Sequence, residues 1–311
     1  MNAFSHRAFN IYFFTNTFSL LGTWVQKVGL GWLAWQITES TFWTSLIALS
    51  IMAPAGILGP VFAVYAERWD MRRAMLLAKS IITLISILIF LFQIFEMHSL
   101  QSLLLLSFAL GVLNAVHHPI RLVFISLIVP KSYLASAIGL NSVSWSMSRI
   151  VGPGIAGVTI ATFGLDLTFG LAALLFLPFI IVLIWLPLKN RELENENTEK
   201  FFTRLRNGWM TALNTPIIFM CLSIVALNSF FVRGVLEIQP AIIGQVLDGD
   251  SKSLAIATAA TGIGSIIASG WIGVGKISQE FVRIILWPGL IFGLIAILTL
   301  LQVTEIVVMS I

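Results

Sequence analysis

Long apolar runs alternate with short polar breaks along the chain. At the length a helix needs to cross hydrocarbon, the pattern predicts nine spans, near 11–37, 43–66, 74–95, 100–128, 133–163, 166–188, 216–240, 253–275 and 281–303. Stretches such as Ile81 to Phe92 and Ile291 to Leu301 are apolar on every face. Strands of a membrane barrel would alternate apolar and polar side chains, so the runs read as helices. One interval differs: Lys189 to Gly208 reads KNRELENENTEKFFTRLRNG, mixed in charge and poor in aliphatics. It predicts a cytoplasmic linker with an amphipathic stretch from Phe201 to Leu213 lying on the membrane. The expected architecture is an all-α polytopic membrane protein. A six-helix bundle occupies 1–188, a linker 189–215, and a partial bundle of about three helices 216–311.

Composition strengthens the membrane reading. The chain is 58% hydrophobic and 10% charged, with a mean hydropathy of +0.96, which no soluble domain of 311 residues hides in a core. The bases gather in alternate breaks. Arg7, Arg68, Arg72, Arg73, Lys79, Lys131, Lys189, Arg191, Lys200, Arg204, Arg206, Lys276 and Arg283 fall on one side, and Lys252 on the other. The positive-inside rule then places the N-terminus in the cytoplasm. A formal charge of +4 distributed in this way argues against a nucleic-acid partner. The lone cysteine, Cys221, lies in an apolar run, so neither a disulfide framework nor a thiolate metal site is expected. The first run is too long for a cleaved signal peptide and reads as a retained span.

Two motifs give the spans a family likeness. Ala63 to Arg73, AVYAERWDMRR, holds Glu67, Arg68, Asp70, Arg72 and Arg73 between two spans. It resembles motif A of the major facilitator superfamily, with Ala63 at the usual Gly and Glu67 at the usual Asp. In the fifth span, GLNSVSWSMSRIVGPGIAG resembles motif C of the superfamily's export branches, through Gly139, Gly152, Pro153, Ala156 and Gly157. Small residues there let the helix lie tight against a partner, and Pro153 sets a bend. LLGTWVQ (Leu20 to Gln26) and GVLNAVHHPIR (Gly111 to Arg121) look like the enterobactin-exporter and macrolide-efflux branch. The likeness runs over about residues 7–188 and is weaker beyond the linker.

The resemblance implies a secondary transporter in the bacterial inner membrane. It would export a small organic solute, a siderophore or drug-like molecule, by alternating access, with a proton as coupling ion. Motif A would hold the cytoplasmic side shut. Family members have twelve spans, so the resemblance also implies that the last three helices are lacking, that transport is impaired, and that the missing helices could sit on another chain. The alternative is a non-transporting membrane protein, either a truncated remnant or a partner-binding subunit.

Charges inside spans are functional suspects. Lys27 and Arg149 have no acid within reach on their own helices. Either they face a water-filled cavity or they bond to carbonyls and polar neighbours. In the first case, with Trp24, Trp32 and Trp145, they make a substrate site suited to an acidic aromatic solute. Arg121 falls late in its span and reads as a snorkelling or loop-locking base. Arg233 and Glu237, one helical turn apart, are expected to pair. The sequence offers no catalytic constellation, no phosphate-binding loop and no implied cofactor. The adjacent His117 and His118 point to different faces and cannot chelate one metal ion.

Overall fold

The computed structural model describes residues 3–66, 69–186, 201–216, 218–220, 222–223, 239–246, 252–258 and 260. Contacts divide the chain into two compact units, Met1–Glu192 with Pro240–Ala268, and Leu193–Gln239 with Ser269–Ile311. No strand occurs among the described residues, and the fold is the expected all-α one. In the first unit the main helices are α1 (Arg7–Thr38), α2 (Thr41–Ala66), α3 (Met71–Ile94), α4 (Leu100–Ile128) and α5 (Leu134–Trp185). The second unit contributes α6 (Phe201–Asn214), where the sequence predicted an amphipathic stretch. Trp209, Met210 and Leu213 of α6 are exposed. The spans expected at 216–240, 253–275 and 281–303 fall largely outside the described residues.

Local chemistry sets the helix ends. Asp70 caps α3 by accepting the backbone N–H of Arg73 at 3.0 Å. Ser99 and Ser102 form a reciprocal capping box at the start of α4. α5 runs for 52 residues, and a straight helix of that length would extend about 78 Å, more than twice a hydrocarbon core. It is broken at Gly164, whose φ of 79° and ψ of −178° belong to a region open almost only to glycine. The two arms fold back on each other there. Thr168 donates to the Thr159 hydroxyl across the turn at 3.1 Å. α1 meets both arms, with Trp24 against Gly152 before the break and Gly22 against Ala172 after it.

By length and composition, α3, α4, most of α2 and the two-armed α5 region are able to cross a membrane. α1 carries more polar residues, which turn inward: Asn16, Ser19 and Gln26 are buried, while Phe14 and Phe18 are exposed. Exposure of large apolar side chains recurs around the bundle, as at Ile57, Leu84, Leu105 and Trp185, and suits a surface solvated by lipid.

Two apolar clusters fix the helix directions. One joins Phe9, Tyr12, Met71, Met75, Phe124, Phe179 and Leu183, drawn from the starts of α1 and α3 and the ends of α4 and α5. The other joins Leu30, Leu33, Ile47, Ile85, Ile89, Leu103, Leu110, Ile160 and Phe169, drawn from the opposite ends and the Gly164 turn. α1 and α3 therefore run one way and α4 the other. α1 packs chiefly on α5, and α2 on α4. The second pair comes close because Gly111 lacks a side chain: a Cβ there would sit 2.5 Å from the Ser50 carbonyl oxygen. Between the clusters runs a polar seam. Asn16 bonds Asn141 at 3.4 Å, the Thr17 and Ser144 hydroxyls share a bond of 2.6 Å, and Ser86 donates to Gln26 at 3.1 Å.

Candidate functional site

The seam opens into a half-open pocket, about 330 Å³ with the solvent at its mouth included, lined by α1, α2, α3, α4 and the second arm of α5. Thr23, Gln26, Lys27 and Asn114 supply its polar lining; Leu30, Ile51, Ile82, Leu110 and Phe176 supply the apolar part. Successive positions on one face of α1 place Thr23, Gln26, Lys27 and Leu30 together, which follows from helical spacing. Gln26 accepts from Ser86, and its amide nitrogen is buried without a hydrogen-bond partner. The Lys27 ammonium lies 3.7 Å from the Met52 sulfur and 5.1 Å from the centre of the Trp24 ring.

From Lys27 a ladder of rings and cations crosses the bundle. Trp24 meets Trp145 of α5 edge to face, with centroids 6.1 Å apart. The Arg121 guanidinium of α4 sits 4.6 Å from the Trp145 ring centre, and the His118 ring 5.7 Å from it. The order Lys27, Trp24, Trp145, Arg121 thus joins three helices through cation–π and aromatic contacts.

The sequence-predicted site residues are distributed unevenly over this arrangement. Lys27 lines the pocket, and Trp24 and Trp145 form the ladder behind it. Trp32 is buried in the apolar cluster with Leu30 and Leu33. Arg149, one turn beyond Trp145, is exposed and makes no hydrogen bond or ion pair among the described residues. Arg233 and Glu237 lie outside the described residues.

Two bases are placed differently from their sequence expectation. Arg121 does not snorkel: it is 3% exposed, in the bundle interior on the Trp145 face. Lys79 does not belong to a loop. Two turns into α3 it is 1% exposed, its ammonium 5.2 Å from the Phe176 ring and 6.0 Å from the Phe179 ring. Hydropathy averages over all faces of a helix, so a base on the inward face reads the same as one at its end. The retrievable signal was the stripe Met75, Lys79, Ile82, Ser86, which puts Lys79 on the α3 face that meets the core.

The motif A-like loop is described in part. Ala63 is exposed at the end of α2, and Glu67 and Arg68 lie outside the described residues. Asp70 pairs with the Arg73 guanidinium at 3.4 Å. Arg72 donates to the Ile184 carbonyl at 3.2 Å and to the Leu186 carbonyl, tying the start of α3 to the end of α5. The motif C-like run packs on two sides. A Cβ at Gly152 would stand 2.5 Å from the Trp24 Cβ, and one at Gly157 would stand 2.7 Å from the Ala255 Cα. Ala156 is fully buried between them, Pro153 lies within the helix, and Gly139 faces open space.

A family model described as "Transmembrane secretion effector" matches residues 1–311. The chain is 25% identical over 263 residues to the Staphyloferrin A transporter of Staphylococcus aureus (strain NCTC 8325 / PS 47), covering 83% of this chain and 65% of the relative. It is 25% identical over 275 residues to the MFS-type transporter YfiS of Bacillus subtilis (strain 168), covering 85% of this chain and 63% of the relative. The chain thus spans less than two thirds of either relative. Among solved structures, a bacterial homolog of the human lysosomal transporter Spinster, inward-facing and unoccupied, matches with a TM-score of 0.60 at 15% identity. That match covers 83% of this chain and 60% of the other. A D-xylose–proton symporter matches with a TM-score of 0.54 at 13% identity, covering 81% and 66%.

Proposed function

Because the chain belongs to the transmembrane secretion effector family of major facilitator transporters, we propose that it serves to carry a small organic anion outward across a bacterial inner membrane by alternating access. Members of this superfamily are transporters and not enzymes. The observation that carries the reading is the ladder of Lys27, Trp24, Trp145 and Arg121 behind the pocket. Ring faces receive a flat solute, and the two cations favour one that bears negative charge. An acidic or phenolic aromatic fits better than a cationic dye. A relative named for staphyloferrin A supports a siderophore as the organic anion, though not the preference for an aromatic one. The sequence holds no phosphate-binding loop, so transport draws on an ion gradient, with a proton as the coupling ion. Glu67, Arg68, Arg72 and Arg73, as motif A-like charges with the N-terminus and the 189–215 linker on the cytoplasmic side, favour the state closed to the cytoplasm.

Everted membrane vesicles from cells making the chain test the reading, since export appears there as uptake. Energised vesicles are expected to accumulate 2,3-dihydroxybenzoate above vesicles lacking the chain. Lys27→Gln should lower that accumulation about tenfold, the effect of losing one interaction with a charged group, and spare uptake of a cationic aromatic dye. Equal loss of both solutes, or loss of the dye alone, overturns the anion preference. No accumulation of either overturns the transport reading and favours a non-transporting membrane subunit.

A further inference from the structure

Beside the apolar cluster that holds Phe9 and Tyr12, away from the pocket, lies a second group of buried polar side chains. Lys79 on α3, His117 and Arg121 on α4 and Tyr12 on α1 are 1%, 5%, 3% and 0% exposed. His117 and Arg121 share a face of α4 one turn apart, and ring contacts link Lys79 to that helix through Phe179, Tyr12 and Phe124. The surrounding contacts are ring faces: Phe176 and Phe179 for Lys79, and Trp145 for Arg121. No carboxylate joins the group among the described residues. The described acids, Glu39, Asp70, Glu96 and Asp166, sit at helix ends or beside the Gly164 turn. Ring faces leave in-plane donors unused. Arg121 Nε and Nη1, His117 Nε2 and the Tyr12 hydroxyl are each buried without a hydrogen-bond partner. Unmade hydrogen bonds on a buried cation are among the costliest a fold can leave, and a second cation nearby raises the cost.

We propose that Arg121, Lys79 and His117 form a binding site for one small anion, a halide or a carboxylate. Such an ion accepts from the guanidinium edge while its charge offsets both cations, which no neutral water does. The site is distinct from the Lys27 pocket. Lys79 and Ser86 share a face of α3 seven residues apart, so the two levels differ by about 10 Å. Thr83 donates to the Lys79 carbonyl on α3, and Ser86 is bonded to Gln26 of the pocket. The site stands whether or not the chain exports a solute.

The purified 311-residue chain in detergent is the material for the test. Its thermal midpoint is followed in sodium chloride, bromide, acetate and gluconate at matched ionic strength. A saturable rise is expected with the small anions and none with gluconate. Arg121→Gln should abolish that dependence, and Lys79→Met should weaken the apparent affinity by about tenfold. A halide response alone identifies a free inorganic ion. A response to acetate that a carboxylate-bearing aromatic solute competes away identifies the solute's own carboxylate. A midpoint that follows ionic strength alone overturns the site, as does wild-type anion dependence in both variants. Should the variants fail to fold, wild-type crystals grown in bromide decide it. Anomalous bromide density within hydrogen-bond reach of Arg121 supports the site; its absence, with no difference density for acetate there in parallel crystals, overturns it.

Discussion

Arg72 and Arg73 are adjacent, carry the same charge and meet different partners. Arg73 stays on its own helix, completing the Asp70 cap with an exposed ion pair of the kind that contributes little. Arg72 reaches across to two carbonyls at the end of α5, which the helix itself leaves without donors. Arg72→Ala should therefore destabilise the folded chain by about 1–2 kcal/mol, and Arg72→Lys should recover only part, since an ammonium cannot present two parallel donors. Arg73→Ala should stay near wild type. Unfolding midpoints of the three variants in one detergent check this order; equal losses at 72 and 73 would mean that the carbonyl bonds contribute nothing. The charge run was legible in the sequence, but the division of labour within it was not, because the partners of Arg72 lie more than a hundred residues away.

At the scale of elements, hydropathy located the helices well and their faces poorly. The break expected between spans ending at 163 and starting at 166 falls at Gly164, and the first expected span, 11–37, lies inside α1. The glycines of the motif C-like run separate into two kinds that look identical as letters. Gly152 is pressed against Trp24, whereas Gly139 has open space around it. Gly152→Ala should force α1 and α5 apart at a cost of about 1–3 kcal/mol. Gly139→Ala should stabilise by about 0.5–1 kcal/mol, as an alanine in a helix with room for it. Thermal midpoints of the pair check the contrast, and a stabilised Gly152→Ala would contradict the close approach. Lys27 and Trp145 were recognisable as suspects because charge and large rings stand out in an apolar run. Arg121 read as a snorkelling base and Lys79 as a loop base, since burial depends on which neighbours a face meets.

For the molecule as a whole, the distribution of bases over alternate breaks leads us to expect the end of α3 outside and the 189–215 linker inside. An alkaline phosphatase fusion after Phe95 should be active, and one within 193–203 inactive, with a green fluorescent protein fusion giving the complementary signals. Phosphatase activity from the linker would reverse the orientation. A fusion after Asp166 is less informative, because it would break the Gly164 turn.

That turn also bears on how the chain is made. The arms of α5 are joined through a single non-helical residue, so neither can settle in the lipid while the other waits in the insertion channel. The two arms are therefore expected to enter the bilayer together as one hairpin, which would make biogenesis of this region a single event rather than two.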